Sequence, residues 1–158
     1  MTTEKSEQSF NRNILLAVDT SENSRRAVAY VGRVLGGIQG FHVTLLHVIP
    51  DPEEDYFATE SERESWLENY RGRTDSVLQE YRGMLESAGF PADAVDLYTP
   101  RRYCPSMAEC ILTEREKRSY GTIVVGRQGL SRKEEFLFGS ISNKIVNHAR
   151  DCTVWVVA

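Results

Sequence analysis

The residues best suited to chemistry lie between Thr122 and Ser142, in the run T-I-V-V-G-R-Q-G-L-S-R-K-E-E-F-L-F-G-S-I-S. Ile123 to Val125 has the β-branched composition of a buried strand. Gly126 and Gly129 follow it, and Gly139 and Ser140 come after nine further residues. Glycines at such points let the backbone turn and approach a ligand with no Cβ in between. Ser140 is placed to cap a helix that starts near Ile141. Helix N-termini leave amides unpaired, and those amides suit phosphate oxygens. The segment reads as an anion cradle. On spacing alone, turn and cap glycines explain it as well.

Asp19 is the second candidate. It stands where the first strand meets its loop, at the carboxyl end of a sheet, where doubly wound folds hold ligands. The same position suits an aspartate that only caps backbone amides. No G-x-G-x-x-G follows it and the chain has no G-x-x-x-x-G-K-[ST], so neither a dinucleotide fingerprint nor a P-loop is present. His42, His47 and His148 do not have metal-ligand spacing, and His47 reads as a packed or hydrogen-bonded residue. Arg101 and Arg102 beside Tyr103 could touch a phosphate, yet one such cluster is no nucleic-acid footprint and reads first as a solvated loop.

Five apolar or β-branched runs alternate with helical patterns. The strands are Ile14 to Val18, Val43 to Val48, Ala94 to Tyr98, Ile123 to Val125 and Cys152 to Val157. Thr20 and Ser21 offer caps to a first helix with Ala27, Val28, Val31, Val34 and Leu35 on its apolar face. A second helical pattern runs from Trp66 to Ala88 and stops at Gly89 and Pro91. Ser106 caps a third, with Met107, Cys110 and Ile111 inward and Glu114 to Arg118 as its charged end. Ile141, Ile145, Val146 and Ala149 form the stripe of the last. This alternation predicts an α/β fold: an open parallel five-stranded sheet with helices on both faces. If the first and fourth strands are neighbours, Asp19 and the glycine segment share one crevice. Asp51 to Glu64 is acidic and reads first as a solvated excursion, with a lid or partner-binding loop as the functional alternative.

At 158 residues the chain suits one domain, residues 13–158, preceded by a polar, flexible tail over residues 1–12. A net charge of −4 offers no global field for nucleic acid or an acidic membrane, so neither is an expected partner. The sequence has no apolar run of spanning length and no signal-peptide core. Cys104, Cys110 and Cys152 are irregularly spaced, which favours reduced thiols in the cytoplasm.

Gly126-x2-Gly129-x9-Gly139-Ser140, with A-V-D-T-S at Ala17 to Ser21 and L-L-H-V at Leu45 to Val48, resembles the universal stress protein family. The resemblance runs from Asn13 to Ala158. It implies strand order 3-2-1-4-5 and an adenine-nucleotide site. By that resemblance Asp19 and Val48 contact adenine, Val48 through its backbone, and Ala17 lines the same end. Val125 lies beside base and sugar, and Gly126 and Gly129 approach ribose and phosphate. Gly139, Ser140 and Ser142 contact phosphates. Arg127, at a variable motif position, adds charge at the phosphate end or points outward. The implied cofactor is ATP, with Mg²⁺ or Mn²⁺ held through its phosphates. Thr99 to Ser106 departs from the family's usual Gly-x-Pro, and Gly121-Thr122 stands where an Asp often precedes the strand. The expected function is an ATP-binding regulatory or stress-adaptation protein, at most a weak ATPase. The alternative is a nucleotide-independent protein-interaction module on the same fold. The expected assembly is a homodimer through the Thr153–Val157 edge strand. A downstream protein partner is implied but not identified.

Overall fold

The computed structural model describes residues 10–51, 54–127 and 140–158. The first half runs β1 (Asn13–Ala17), α1 (Glu22–Leu35), β2 (His42–Leu46), β3 (Ile49–Pro50) and α2 (Glu60–Ser87). The second runs β4 (Val95–Tyr98), β5 (Arg101–Arg102), α3 (Met107–Arg118), β6 (Thr122–Gly126), α4 (Ser140–His148) and β7 (Thr153–Val157). The main sheet has the order β4-β2-β1-β6-β7 and every pairing in it is parallel. Counted over its own five strands this is 3-2-1-4-5, the expected architecture.

Parallel strands covered on both sides carry continuous apolar runs, and β1 is such a strand. Ile14 and Leu16 enter one core with Val28, Val31, Leu78 and Tyr81 from α1 and α2. Leu15, one residue out of step, enters the other core with Ala108, Ile111 and Ile145 from α3 and α4. The period of two therefore distributes one strand between two helix layers. Two residues expected on apolar helix faces lie outside these cores: Val34 is 41% and Val146 53% exposed.

Helix α1 begins where Ser21 Oγ accepts the Ser24 amide. It packs on α2, and the turn after α2 depends on Gly89. Gly89 has φ +117°, and a Cβ there would meet Gly37 N at 2.7 Å. Only glycine both adopts that backbone and admits the α1–β2 turn so closely.

The second strand ends at Leu46, so His47 stands just beyond it rather than inside. The backbone pairing continues past the strand: His47 N–H donates to Tyr98 O, Ile49 N–H to Pro100 O and Asp51 N–H to Arg102 O. The short β3–β5 ladder is the result. Thr99 to Pro105, expected to be a solvated loop, is therefore part of a second small sheet at its start.

Both arginines of that segment are committed to carboxylates. Asp51 Oδ1 accepts from Arg101 Nη2 at 2.8 Å and from Arg63 Nη2 at 2.8 Å. These hydrogen bonds, Arg101's first, hold the Asp51 carboxyl below its ordinary range. The acidic segment is consequently anchored at Asp51 rather than being a wholly solvated excursion. Its far end joins α2, which starts at Glu60, earlier than the apolar periodicity suggests. Thr59 caps it by accepting the Glu62 amide, and Glu62 reaches back to the Ala58 amide. Arg102 Nη2 lies 2.8 Å from Glu114 Oε1. Glu114, assigned to the charged end of α3, is 1% exposed.

Cys104 and Cys110 form a disulfide, which corrects the expectation of three reduced thiols. Their Cα atoms are 5.9 Å apart, a span that a bridge closes without moving the backbone. The reason is local: α3 starts at Met107, and its first turn carries Cys110 to within bridging distance of Cys104. Cys152 is the free cysteine. Strand β7 forms one edge of the sheet, with Trp155 edge-on to Tyr30 of α1 at 5.9 Å. Among the described residues no helix is long and apolar enough to cross a membrane.

Tyr81 ties the two layers of the first core to the β1–α1 loop. It is 1% exposed and its hydroxyl donates to Asp19 O at 2.8 Å. Burial, and then the Asp19 charge, push its pKa up to about 12. A raised phenol pKa contributes stability that is complete below the unfolded value near 10 and is lost as pH rises through 12. Relative to Tyr81→Phe, the wild type should lose about 2 kcal/mol between pH 10 and pH 12. Urea unfolding of both proteins across that window checks it; parallel curves would sink the assignment.

Candidate functional site

Strand β1 is where the connections change direction. The chain leaves it through α1 for β2 on one side and returns to it as β6 on the other. At such a switch point the loops beyond the carboxyl ends separate and leave a crevice. A cleft of about 190 Å³ occupies it. Val18, Leu46, Val125, Met107, Ile111 and Ile141 supply apolar walls. Asp19, Ser21, Asn23, Ser24, His47 and Ser142 supply polar groups.

The polar end is organised by the β1–α1 loop. Asp19 Oδ1 accepts from Ser21 N–H at 2.8 Å and from Ser24 Oγ–H at 2.8 Å. Ser24 Oγ in turn accepts the Asp19 amide at 2.9 Å. Asp19 thus caps a backbone amide of the loop, that of Ser21, as one of its two expected roles requires, and it also lines the cleft. A carboxylate is an acceptor only, so this end suits a donor on a ligand.

The end of β2 forms the next wall. In an extended chain, successive residues direct their backbone groups to opposite sides. His47 and Ile49 donate toward β4 and β5, so the amide and carbonyl of Val48 face β1. The last bond on that side is Val18 N–H to Leu46 O. Beyond it β1 has turned away, and Val48 borders the cleft instead of another rung. A donor and an acceptor side by side form an edge that a heterocycle can match.

His47 is fixed by two bonds. Its Nδ1 lies 2.8 Å from Val18 O and its Nε2 2.7 Å from Tyr70 Oη. A carbonyl only accepts, so Nδ1 carries the proton and Nε2 accepts from Tyr70. Burial, followed by the Asp19 charge, raises the Tyr70 pKa and keeps that phenol protonated. Tyr70 also continues a stack: Trp66 lies 5.3 Å from it and Phe57 5.7 Å from Trp66. This is the packed role expected of His47. It leaves neither ring nitrogen available as a base in this arrangement.

On the opposite wall, Val125 is buried and lines the cleft with Gly126. A Cβ on Gly126 would meet Asn23 O at 2.5 Å, so the absent side chain admits the first turn of α1. Arg127 is exposed, and its amide donates to Val157 O at 2.6 Å. It does not line the cleft. Ala17 and Val48 do, and so does buried Ser142 of α4. Ser140 opens α4, while Gly129 and Gly139 lie outside the described residues. The structure thus brings Ala17, Asp19, Val48, Val125, Gly126 and Ser142 together around one cleft.

Sequence reasoning did not select Ser21, Asn23, Ser24, Met107 or Ile111 as lining. The Ser21-x-x-Ser24 spacing at a helix start was a usable signal for the first group. Met107 and Ile111 are four residues apart, one helical turn, and were assigned only to the core. Among the described residues no group of three His, Cys, Asp or Glu could hold a metal ion. The cleft therefore offers apolar walls, a carboxylate acceptor and a backbone edge, which is binding chemistry. No nucleophile with an activating base is assembled from the described groups.

No curated protein sequence matches the chain. Solved structures do. The structure of hypothetical protein MJ0577 is 22% identical with TM-score 0.73, covering 94% of this chain and 96% of that one. A universal stress protein in complex with cAMP is 19% identical with TM-score 0.69, covering 95% and 99%. The universal stress protein from Archaeoglobus fulgidus in complex with dAMP is 14% identical with TM-score 0.62, covering 95% and 100%. At these identities the likeness establishes the fold. The family pattern described as universal stress protein family matches residues 11–158, nearly the whole sequence. The chain belongs to the universal stress protein family.

Proposed function

We propose that this chain is an adenine-nucleotide-binding regulatory protein, with ATP as its ligand. The observation that carries the reading is the cleft at the β1–β6 switch point, with Asp19 and the Val48 backbone on one side and Gly126 and Ser142 on the other. A purine edge carrying a donor beside an acceptor complements that backbone, and an exocyclic amine complements the carboxylate. Two similar structures are complexes with adenine nucleotides, cAMP and dAMP, which supports the same ligand class here. The volume of about 190 Å³ is below the roughly 300–1,000 Å³ of pockets for drug-sized ligands. It suits the base and sugar, with phosphates outside, toward Gly126, Ser142 and the start of α4 at Ser140. Arg127, exposed and directly after Gly126, would add positive charge there if it turns toward the phosphates. Mg²⁺ or Mn²⁺ would be held through the phosphates and would neutralise their charge. The reading places the protein in the cytoplasm, acting on a protein partner still to be identified.

The polar groups of the cleft hold one another rather than a reacting water. Asp19 and Ser24 close a capping loop, and His47 is bound at both nitrogens. Ground-state binding without transition-state stabilisation gives retention, not turnover. One observation favours a second reading, an interaction module that needs no nucleotide: Gly126 is required by Asn23 whether or not a ligand is present.

Calorimetric titration of ATP decides between these. Met107 stands at the start of α3 on the cleft wall, half-buried, so an indole there fills the slot. Met107→Trp should lower ATP affinity about tenfold or more, while the circular dichroism stays that of the wild type. Equal affinity in a folded variant would remove the nucleotide from this cleft, and no heat from the wild type would favour the interaction module.

Turnover should be slow. With Mg²⁺ or Mn²⁺, chromatographic ATP-to-ADP conversion should stay well below about 1 s⁻¹, the low end of usual enzyme rates. A rate at or above that, lost in Met107→Trp, would make the protein an ATPase.

The proposed assembly is a homodimer through β7. Thr153 N–H donates to Gly121 O and Val157 O accepts from Arg127, so alternate residues Val154 and Val156 direct their backbone groups away from β6. Among the described residues no strand pairs with that row, which suits it to pairing with its own copy across a two-fold axis. Val154→Pro removes an outward amide and no bond to β6. Light scattering should give a dimer for the wild type and a monomer for the variant; a monomer in both would rule the edge out.

A further inference from the structure

We propose that the Cys104–Cys110 bridge is opened by an external dithiol and that its state sets how tightly the cleft holds its ligand. The second half rests on the nucleotide reading above.

The bridge closes a short loop at the start of α3, with a sequence separation of six. Inside that loop lie Ser106, which caps α3 by accepting the Glu109 amide, and Met107, which lines the cleft. Ser106 has a second contact: Lys144 Nζ on α4 donates to Ser106 Oγ at 3.2 Å and to Glu109 Oε1 at 3.2 Å. Lys144 sits one turn beyond Ser140 and two residues beyond Ser142, which lines the cleft. Disulfide, helix cap and lysine thus form one continuous latch across the α3–α4 wall. The closed bridge restricts the loop, and opening it restores the loop's conformational freedom. A ligand that must then order the wall binds more weakly.

The two sulfurs differ in access. Cys110 is 8% exposed, while Cys104 is half-buried on a loop beside exposed Tyr103. An external thiolate therefore attacks Cys104 Sγ. The Cys104–Cys110 bond breaks, Cys110 leaves as a thiolate and takes up a proton. The second thiol of the external dithiol then attacks its own sulfur in the mixed disulfide. That step releases Cys104 as a thiolate, which is protonated, and closes the external disulfide. Two electrons pass from the dithiol to the protein. In a reducing compartment the open form would prevail, and an external disulfide, itself reduced to the dithiol by two electrons and two protons, would close the latch.

The test uses the full chain, untreated and after dithiothreitol. Alkylation of the untreated, denatured protein should mark one cysteine, Cys152, and after reduction all three. ATP affinity should fall about fivefold or more on reduction. The double variant Cys104→Ser/Cys110→Ser should bind as the reduced protein does and ignore dithiothreitol, while Cys152→Ser keeps the response. Three reactive thiols in the untreated protein, or equal ATP affinities in the two states, overturn the proposal. If neither state binds ATP, the nucleotide reading has failed by itself. Hydrogen exchange in Ser140–His148 then decides the latch: faster exchange after reduction supports it and equal exchange overturns it.

Discussion

The site depends on one constraint, the saturation of β1. Both of its edges are hydrogen-bonded along its whole length, to β2 and to β6. A strand so placed can end only by leaving the plane, and it does so after Val18 donates to Leu46 O. Its departure leaves the Val48 backbone and the end of β6 facing each other across a gap. The loop that carries the chain away must be tightly held, because it forms the floor of that gap. Asp19, Ser21 and Ser24 hold it from within, and Tyr81 holds it from α2.

Gly126 shows how the gap is kept narrow. Asn23 in the first turn of α1 lies against it, closer than any side chain allows. A glycine singled out by the spacing of its motif is therefore also a packing residue between β6 and α1. The two explanations weighed at the level of spacing, ligand approach and backbone turn, are joined by a third, the approach of a neighbouring helix.

Much of this was legible in the chain, and the limits have physical causes. The five strands follow from apolar runs, most plainly in the central β1, β2 and β6, where burial on both faces leaves no alternation to misread. Their order needed the family resemblance, because periodicity says nothing about which strands are neighbours. Asp19 was legible because a strand end at the carboxyl edge of a sheet is identifiable from element order, whereas Ala17, Val48 and Val125 came from the family resemblance. Met107 and Ile111 were missed because a helical stripe looks the same facing a core or a cavity. The start of α2 was placed late because the apolar pattern begins only after the cap. Thr59-x-x-Glu62 carried that boundary in polar residues instead. The Cys104–Cys110 pairing was missed because six residues of separation is an unremarkable interval until the helix start between them fixes their distance. Arg101 and Arg102 looked solvent-directed because their carboxylate partners, Asp51 and Glu114, are remote in sequence.

The sequence has two tryptophans, and the fold sends them to different places. Trp66 stacks on Tyr70, whose hydroxyl holds the His47 ring at the border of the cleft. Trp155 belongs to the edge strand and meets Tyr30. Indole emission responds to the polarity and mobility of its surroundings, so the protein carries two separate optical reporters. One is coupled through two aromatic rings to the ligand end of the sheet. The other is seated on the strand where a second copy would add. Replacing either indole by phenylalanine leaves a single-colour probe, and occupancy of the cleft becomes observable independently of association at the edge.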